Sequence, residues 1–140
     1  MPKIFRAMKA DDDGKPVVES SSKGLGVRSG GPDADVDLDD SGLVILNAKG
    51  MSVAPSWREL PFHRIPKRLK HMAPKARGSD DTSCFRMGKG RFESDYLATG
   101  LTLIRDSPTH GVVAPLNNTT LEQFQRHLAE TKGQWTIEED

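Results

Sequence analysis

Short apolar runs separated by turn residues predict a series of strands along the chain. The predicted strands lie near residues 3–9 and at 43–46, 51–54, 82–87, 101–105 and 111–114, with 25–28 as a further short candidate. The run Leu43–Leu46 stands between Gly42 and Asn47, which favours a buried strand over a four-residue piece of helix. Glycine and proline punctuate most of these runs, as expected for strands joined by turns.

One helix is well signalled, close to the C-terminal end. Thr119 is the predicted N-cap, and Glu122 three residues later completes a capping box. The apolar residues that follow recur three and then four positions apart, as they do on one face of a helix. The remaining assignments are Leu121, Phe124 and Leu128 on that face, Gly133 at the helix end, and Trp135 and Ile137 in a final strand or packing tail.

A proline-rich stretch occupies the middle of the chain. Because each proline ring removes a backbone donor and clashes with the preceding turn, no helix longer than two or three turns is expected there. Strands interleaved with few helices predict an α+β fold, with compact mixed or antiparallel sheets rather than a regular βαβ array. At 140 residues, a single domain over residues 1–140 is expected. The prolines are Pro55, Pro61, Pro66 and Pro74.

Composition limits the core and the redox chemistry. Leu, Ile, Val and Phe supply 30 of the 140 residues, so a core can form but much of the chain must be loop. The single cysteine, Cys84, excludes an intrachain disulfide and a cysteine-based metal cluster. With no adjacent base, Cys84 is expected to be a small buried residue and not a nucleophile.

The net charge is zero, yet the charges are segregated along the chain. Residues 11–40 carry nine acids and three bases, whereas residues 57–91 carry ten bases and three acids. The balance argues against a globally basic nucleic-acid binder. The two segments are expected either to compensate each other or stay solvated, or the basic one faces an anionic ligand such as a dinucleotide or a phosphate backbone.

No apolar run reaches the ~18 residues of a membrane-spanning helix. The first residues lack the apolar stretch of a signal peptide. The chain is therefore expected to act in the cytoplasm, of a producing or a target cell, or to be exported without a cleaved leader.

Several catalytic motifs are excluded by spacing. The four histidines show no HxxxH or HExxH pattern, so no metal site is expected. Ala54 stands where a GxSxG elbow around Ser52 needs glycine. His110, by contrast, opens a predicted strand, a position from which a ring can point into a cleft. His63 stands in a proline-bracketed loop, where packing and ligand contact are both open.

Three short pieces of the sequence match a known pattern in order: Ile4–Ala7, Gly50–Val53 and Thr109–Pro115. Together they resemble the small toxin effectors of type VI secretion, a family built on the ADP-ribosyltransferase fold. Arg28 looks like a fourth shared position. The resemblance spans roughly residues 4–130, and the ordered set of short motifs carries it.

The resemblance implies a site for NAD, used as a substrate, with no metal. Arg6 and Arg28 would anchor the pyrophosphate, since a guanidinium offers fixed donors to phosphate oxygens. Ser52 would bond a ribose hydroxyl or join two facing strands, and Met51 stands beside it where the family pattern has a hydroxyl residue. His110 would accept a hydrogen bond from the ribose 2′-OH. Ser52 and His110 are the catalytic candidates, and Arg6, Arg28, Met51 and Ser52 the NAD-binding ones.

In ADP-ribosyltransferases in general the third motif carries a glutamate. This chain has no glutamate there, and Ala114 is apolar. The toxin family uses histidine in that motif, as this chain does. The implied activity is ADP-ribose transfer or NAD hydrolysis that arrests bacterial growth, with a cognate immunity protein covering the cleft. Arg6→Ala, Ser52→Ala and His110→Ala are each expected to relieve the arrest and leave the fold intact.

An alternative from another class is a non-catalytic module that binds nucleic acid or a protein through the basic segment 57–91. Aromatic residues interleave with its bases, so stacking and phosphate contact would be the mechanism, unless those aromatics pack into the core. A degenerate enzyme that acts only by binding a partner is a third possibility. The aromatics are Trp57, Phe62, Phe85 and Phe92.

Overall fold

The strands form two antiparallel sheets with one α-helix, in a computed structural model that describes all 140 residues. The strand order is β1-β3-β7 in one sheet and β2-β6-β5-β4 in the other. This arrangement confirms the α+β prediction. The elements are β1 (Ile4–Met8), β2 (Met51–Val53), β3 (Ser83–Met87), β4 (Asp95–Ala98), β5 (Leu101–Ser107), β6 (His110–Pro115), α1 (Leu121–Glu130) and β7 (Thr136–Ile137), with 3₁₀ turns at Trp57–Glu59, Lys67–Leu69 and Lys132–Gln134.

The two sheets meet at β1 and the end of β2. Phe5 and Ala54 exchange two backbone hydrogen bonds, of 2.8 and 3.0 Å. All five residues of β1 are buried, because each face of the strand packs on a different core. Ile4 and Met8 belong to the main core, and Phe5 and Ala7 to a second one.

The second core lies beneath the proline-rich stretch. It consists of Phe5, Ala7, Ala54, Trp57, Leu60, Ile65, Leu69, Ala76 and Cys84. The stretch therefore folds as irregular chain with short 3₁₀ turns, as its prolines predict. Cys84 is free and buried, and burial raises its pKa to about 12, so its thiol stays neutral near pH 7.

The prediction of a buried strand at Leu43–Leu46 is wrong. Val44 is buried, but Leu46 is 51% exposed, and the run makes only single bridges to Leu38 and Thr120. Its backbone hydrogen bonds go to Asp37, Asp39 and Thr119 and do not extend into a regular ladder, so the apolar run stays in a loop. Residues 25–28 likewise form a buried loop and no strand.

Two other details differ from the sequence-based expectation. Strand β4 was not predicted, since Leu97 is its only buried residue and leaves no alternating pattern. Thr120, and not Thr119, caps α1, with its side chain accepting a 3.1 Å hydrogen bond from the Gln123 amide. None of the helices has the length and apolar character needed to span a membrane.

Candidate functional site

One cleft of about 370 Å³ lies where β1, β2 and the start of β6 meet the proline-rich stretch. Its volume is near the lower end of the range of about 300–1,000 Å³ typical of ligand sites. Arg6, Arg28, Ser52 and His110 all line this cleft. We call it the arginine cleft, after Arg6, Arg28 and Arg64.

Strand register brings these distant residues together. Ser52 pairs with Val112, and Val53 pairs with Gly111, so His110 follows directly beyond the paired end of β2. The bridge from Ala54 to Phe5 sets β1 beside the same end. Residues about 100 positions apart in sequence thus come to share one wall.

Met51 does not belong to the cleft, which corrects the expectation that it contacts the ligand. Successive side chains of a strand point to opposite faces, so Met51 and Val53 point away from Ser52. Met51 is 1% exposed and packs in the main core, whereas Ser52 is exposed.

Arg6 is held by three backbone carbonyls from two other parts of the chain. Its Nε donates to Gly24 O at 3.1 Å, its Nη1 to Ser52 O at 2.9 Å and its Nη2 to Ser21 O at 3.2 Å. The residue is only 8% exposed and has no carboxylate in contact. Burial lowers its pKa to about 10, so it remains charged near neutral pH. Of its five N–H groups, two are left over for a ligand.

Two further guanidinium groups line the cleft. Arg28 is paired with Asp35, whose carboxylate accepts from Arg28 Nε at 3.2 Å and from the Arg28 backbone amide at 2.8 Å. This pairing raises the pKa of Arg28. Arg64 has no such partner, and burial together with the charge of Arg28 lowers its pKa. The cleft therefore holds an excess of positive charge.

Two carboxylates line the cleft: Asp35, which forms an ion pair with Arg28, and Glu59. Glu59 makes no ion pair, and it comes from the 3₁₀ turn at the start of the proline-rich stretch. It faces the same cleft as Ser52 and His110. Glu59 is thus the free acidic group of the site.

His110 is oriented by Asp106. The His110 Nδ1 lies 2.8 and 2.9 Å from the two carboxylate oxygens of Asp106. With a neutral ring, Nδ1–H donates to this carboxylate, and Nε2 is left as a hydrogen-bond acceptor. In that tautomer the free Nε2 is the ring atom that could accept the hydrogen bond implied by the resemblance.

Sequence reasoning missed several cleft residues. Glu59, Arg64 and Asp35 line the cleft, and Asp106 supports it from behind His110. For Glu59 and Arg64 the only signal is position: Glu59 directly precedes the proline-bracketed loop 60–66, and Arg64 follows His63 within it. His63 does line the cleft, and burial and the charges of Arg64 and Arg77 lower its pKa, so its ring is neutral near pH 7.

For the activity that the resemblance implies, Asp106→Ala should cause a loss of roughly 10- to 100-fold, because the ring of His110 loses the contact that sets its tautomer. Asp106→Asn keeps an acceptor for Nδ1–H and should retain more activity. Turnover of both variants, measured beside their melting temperatures, checks this. Equal activity in Asp106→Ala and the parent protein would remove the role of the pair.

No group of three or more His, Cys, Asp or Glu side chains is arranged to hold a metal ion. No protein-family model matches the chain. No curated protein matches it either.

Proposed function

We propose that this chain is a protein of ADP-ribosyltransferase type that binds NAD in the arginine cleft and breaks the bond between nicotinamide and ribose. The outcome is transfer of ADP-ribose to an acceptor, or hydrolysis when water takes the acceptor's place. One observation carries the proposal. Arg6, Arg28, Ser52 and His110, which the motif resemblance selects from separate parts of the sequence, line a single cleft.

The charge of the cleft supports a dinucleotide ligand. A buried guanidinium without a carboxylate partner carries a desolvation cost that an anionic ligand offsets. Arg6 is such a group, and Arg64 is a second cation without a partner. The pyrophosphate of NAD supplies negative oxygens that two or three guanidinium groups can bind together.

The remaining cleft residues suit the chemistry at the ribose. Departure of nicotinamide leaves an oxocarbenium-like centre, which anionic and hydrogen-bond-accepting groups stabilise. His110 Nε2 serves as an acceptor for the ribose 2′-OH. Glu59 supplies the negative charge that the third motif of this chain lacks, and Ser52 bonds a ribose hydroxyl.

The proposal includes an antibacterial role, through the resemblance to type VI effectors. NAD is abundant in the bacterial cytoplasm, and its consumption there, or the labelling of an essential acceptor, arrests growth. A cognate immunity protein that covers the arginine cleft is part of the same proposal.

The direct test is nicotinamide release from NAD, together with calorimetric titration of ADP-ribose. Glu59→Gln and His110→Ala should each lower nicotinamide release by about 10²-fold while ADP-ribose still binds, because each removes a group that acts on the transition state. Glu93→Gln changes an exposed glutamate outside the cleft and is the matched control. A parent protein that neither binds ADP-ribose nor releases nicotinamide would contradict the proposal.

A further inference from the structure

The wall of the arginine cleft continues into a surface of uncompensated positive charge. Residues 60–79, which we call the basic wall, contain six Lys or Arg residues and no Asp or Glu. Of these bases only Arg68 forms an ion pair, with Glu139 at 2.7 Å. The wall therefore carries a net positive charge beside the cleft.

The acidic segment 11–40 forms no ion pair with the bases of this wall, so of the two expectations, compensation or solvation, solvation describes the wall. Its acids pair with Arg28, Lys49 and Lys132. The ion pair between the two segments joins Lys23, a base in the acidic segment, to Asp81, an acid in the basic segment.

An exposed aromatic ring stands in this wall at the edge of the cleft. Phe62 is 44% exposed, and its neighbours in sequence, Pro61 and His63, line the cleft. Lys75 Nζ lies 5.5 Å from the ring centroid, and the backbone of Arg77 is fixed beside that of Phe62, since the Arg77 amide donates to Phe62 O at 2.9 Å. We call Phe62, Lys75 and Arg77 the Phe62 platform.

Phe62 differs from the other aromatics of the basic segment, which pack inside the protein. Trp57 and Phe85 are buried, and Phe92 packs partly against the main core. Of the aromatic residues expected to stack on nucleic acid, only Phe62, next to the cleft, is exposed enough to do so.

The backbone under the Phe62 platform is firmly held. Ile65, Leu69 and Ala76 anchor it in the second core. Gly78 donates to Ile65 O at 2.7 Å and accepts from the Lys67 amide at 3.2 Å, which joins the two ends of the wall. Because this backbone is already fixed, little conformational entropy is lost when a ligand binds.

We propose that the acceptor of ADP-ribose is a single-stranded nucleic acid that docks on the Phe62 platform, an inference that rests on the proposed function. A base stacks against Phe62, and its flanking phosphates contact Lys75 and Arg77, the combination by which proteins hold single strands. A duplex keeps its bases stacked inside and cannot use the ring in this way. An acidic polypeptide would satisfy the charges, but its Asp and Glu side chains have no aromatic face to stack on the exposed ring.

The transfer step balances without any further reactant. The bond between C1′ of the ribose and the nicotinamide nitrogen breaks, and its electron pair leaves with neutral nicotinamide. An oxygen or nitrogen of the nucleotide next to the stacked base forms the new bond to C1′. The proton of that nucleophile passes to Glu59 and then to water.

The docking surface is tested with a fluorescein-labelled single-stranded RNA and a DNA of the same sequence, by anisotropy at several salt concentrations. Phe62→Ala and the double variant Lys75→Ala/Arg77→Ala should each weaken binding about tenfold or more. The logarithm of the binding constant should fall with the logarithm of salt, less steeply in the double variant. Lys89→Ala/Arg91→Ala removes two exposed bases outside the basic wall and should leave binding unchanged. No retention of either strand, or equal loss in the control, would overturn the docking surface.

The acceptor is tested with NAD labelled in its adenylate phosphate, incubated with the protein and with RNA, DNA or nucleic-acid-free cell protein. Label should enter a nucleic-acid fraction, resist protease and be released by nuclease. The double variant Lys75→Ala/Arg77→Ala should lose this labelling but keep releasing nicotinamide. Nicotinamide release with label only on protein, or only in free ADP-ribose, overturns the acceptor assignment and leaves the proposed function standing. Absence of nicotinamide release with every acceptor overturns both.

Discussion

Arg6→Ala is expected to lower the free energy of unfolding by about 3 kcal/mol and to abolish ligand binding. The substitution removes the partner of three carbonyls, at Gly24, Ser52 and Ser21, in a region with little solvent access. Each buried polar group left without a partner costs about 1–3 kcal/mol. For a chain of this size the loss corresponds to a drop in melting temperature of roughly 10 °C.

Thermal and urea unfolding of the Arg6→Ala variant measure this effect, with Arg91→Ala as an exposed control. Arg6→Lys keeps the charge but not the fixed fork of donors, so it should recover only part of the stability. The resemblance implies that Arg6→Ala leaves the fold intact. Its hydrogen bonds overturn that expectation, because they tie β1 to β2 and to the loop 21–24. Melting at the parent temperature would show that these bonds do not stabilise the fold.

Arg64→Ala is expected to weaken binding of ADP-ribose by about 10- to 100-fold without loss of stability. A charge-assisted hydrogen bond contributes about 1.5–3 kcal/mol, and Arg64 has donors that no protein group occupies. Burial and the charge of Arg28 lower the pKa of Arg64, and Asp35 offsets this in part. Removing the Arg64 side chain therefore costs the free protein little, while the ligand loses a contact.

Calorimetric titration of ADP-ribose into Arg64→Ala measures the affinity. Arg58→Ala is a matched control from the same stretch, since Arg58 lies over the Trp57 ring at 4.5 Å and does not line the cleft. Arg28→Ala is a useful contrast. It leaves the Asp35 carboxylate free to repel the ligand, so binding should fall further than in Arg64→Ala. Unchanged affinity in Arg64→Ala would mean that the pyrophosphate lies elsewhere.

Most of the strands could be predicted because their signal is local. The stretches 82–87, 101–105 and 111–114 each combine apolar residues with a neighbouring glycine or proline, and each contains or overlaps a real strand. The failures at Leu43–Leu46 and Asp95–Ala98 share one cause. Whether a short run becomes a strand depends on a partner strand, and no partner is visible in a local window.

The candidate site was predictable only in part. Arg6, Ser52 and His110 belong to short motifs, so a comparison of patterns can find them. Glu59, Arg64 and Asp106 belong to no motif, and they reach the site because the proline-rich stretch and the β5–β6 turn fold against it. Met51 belongs to a motif but points into the core, since neighbouring residues in a strand face opposite ways.

Local spacing and composition were enough to predict the α+β class, the C-terminal helix without its exact cap, the irregular proline-rich stretch and the excess of bases in residues 57–91. Tertiary packing sets the burial of Arg6 among carbonyls and the pairing of Arg28 but not of Arg64. It also leaves Phe62 as the exposed ring among Trp57, Phe62, Phe85 and Phe92. Burial and charge pairing are properties of residues far apart in sequence. They are therefore set by the packing of the two sheets against the basic wall, and not by any one segment.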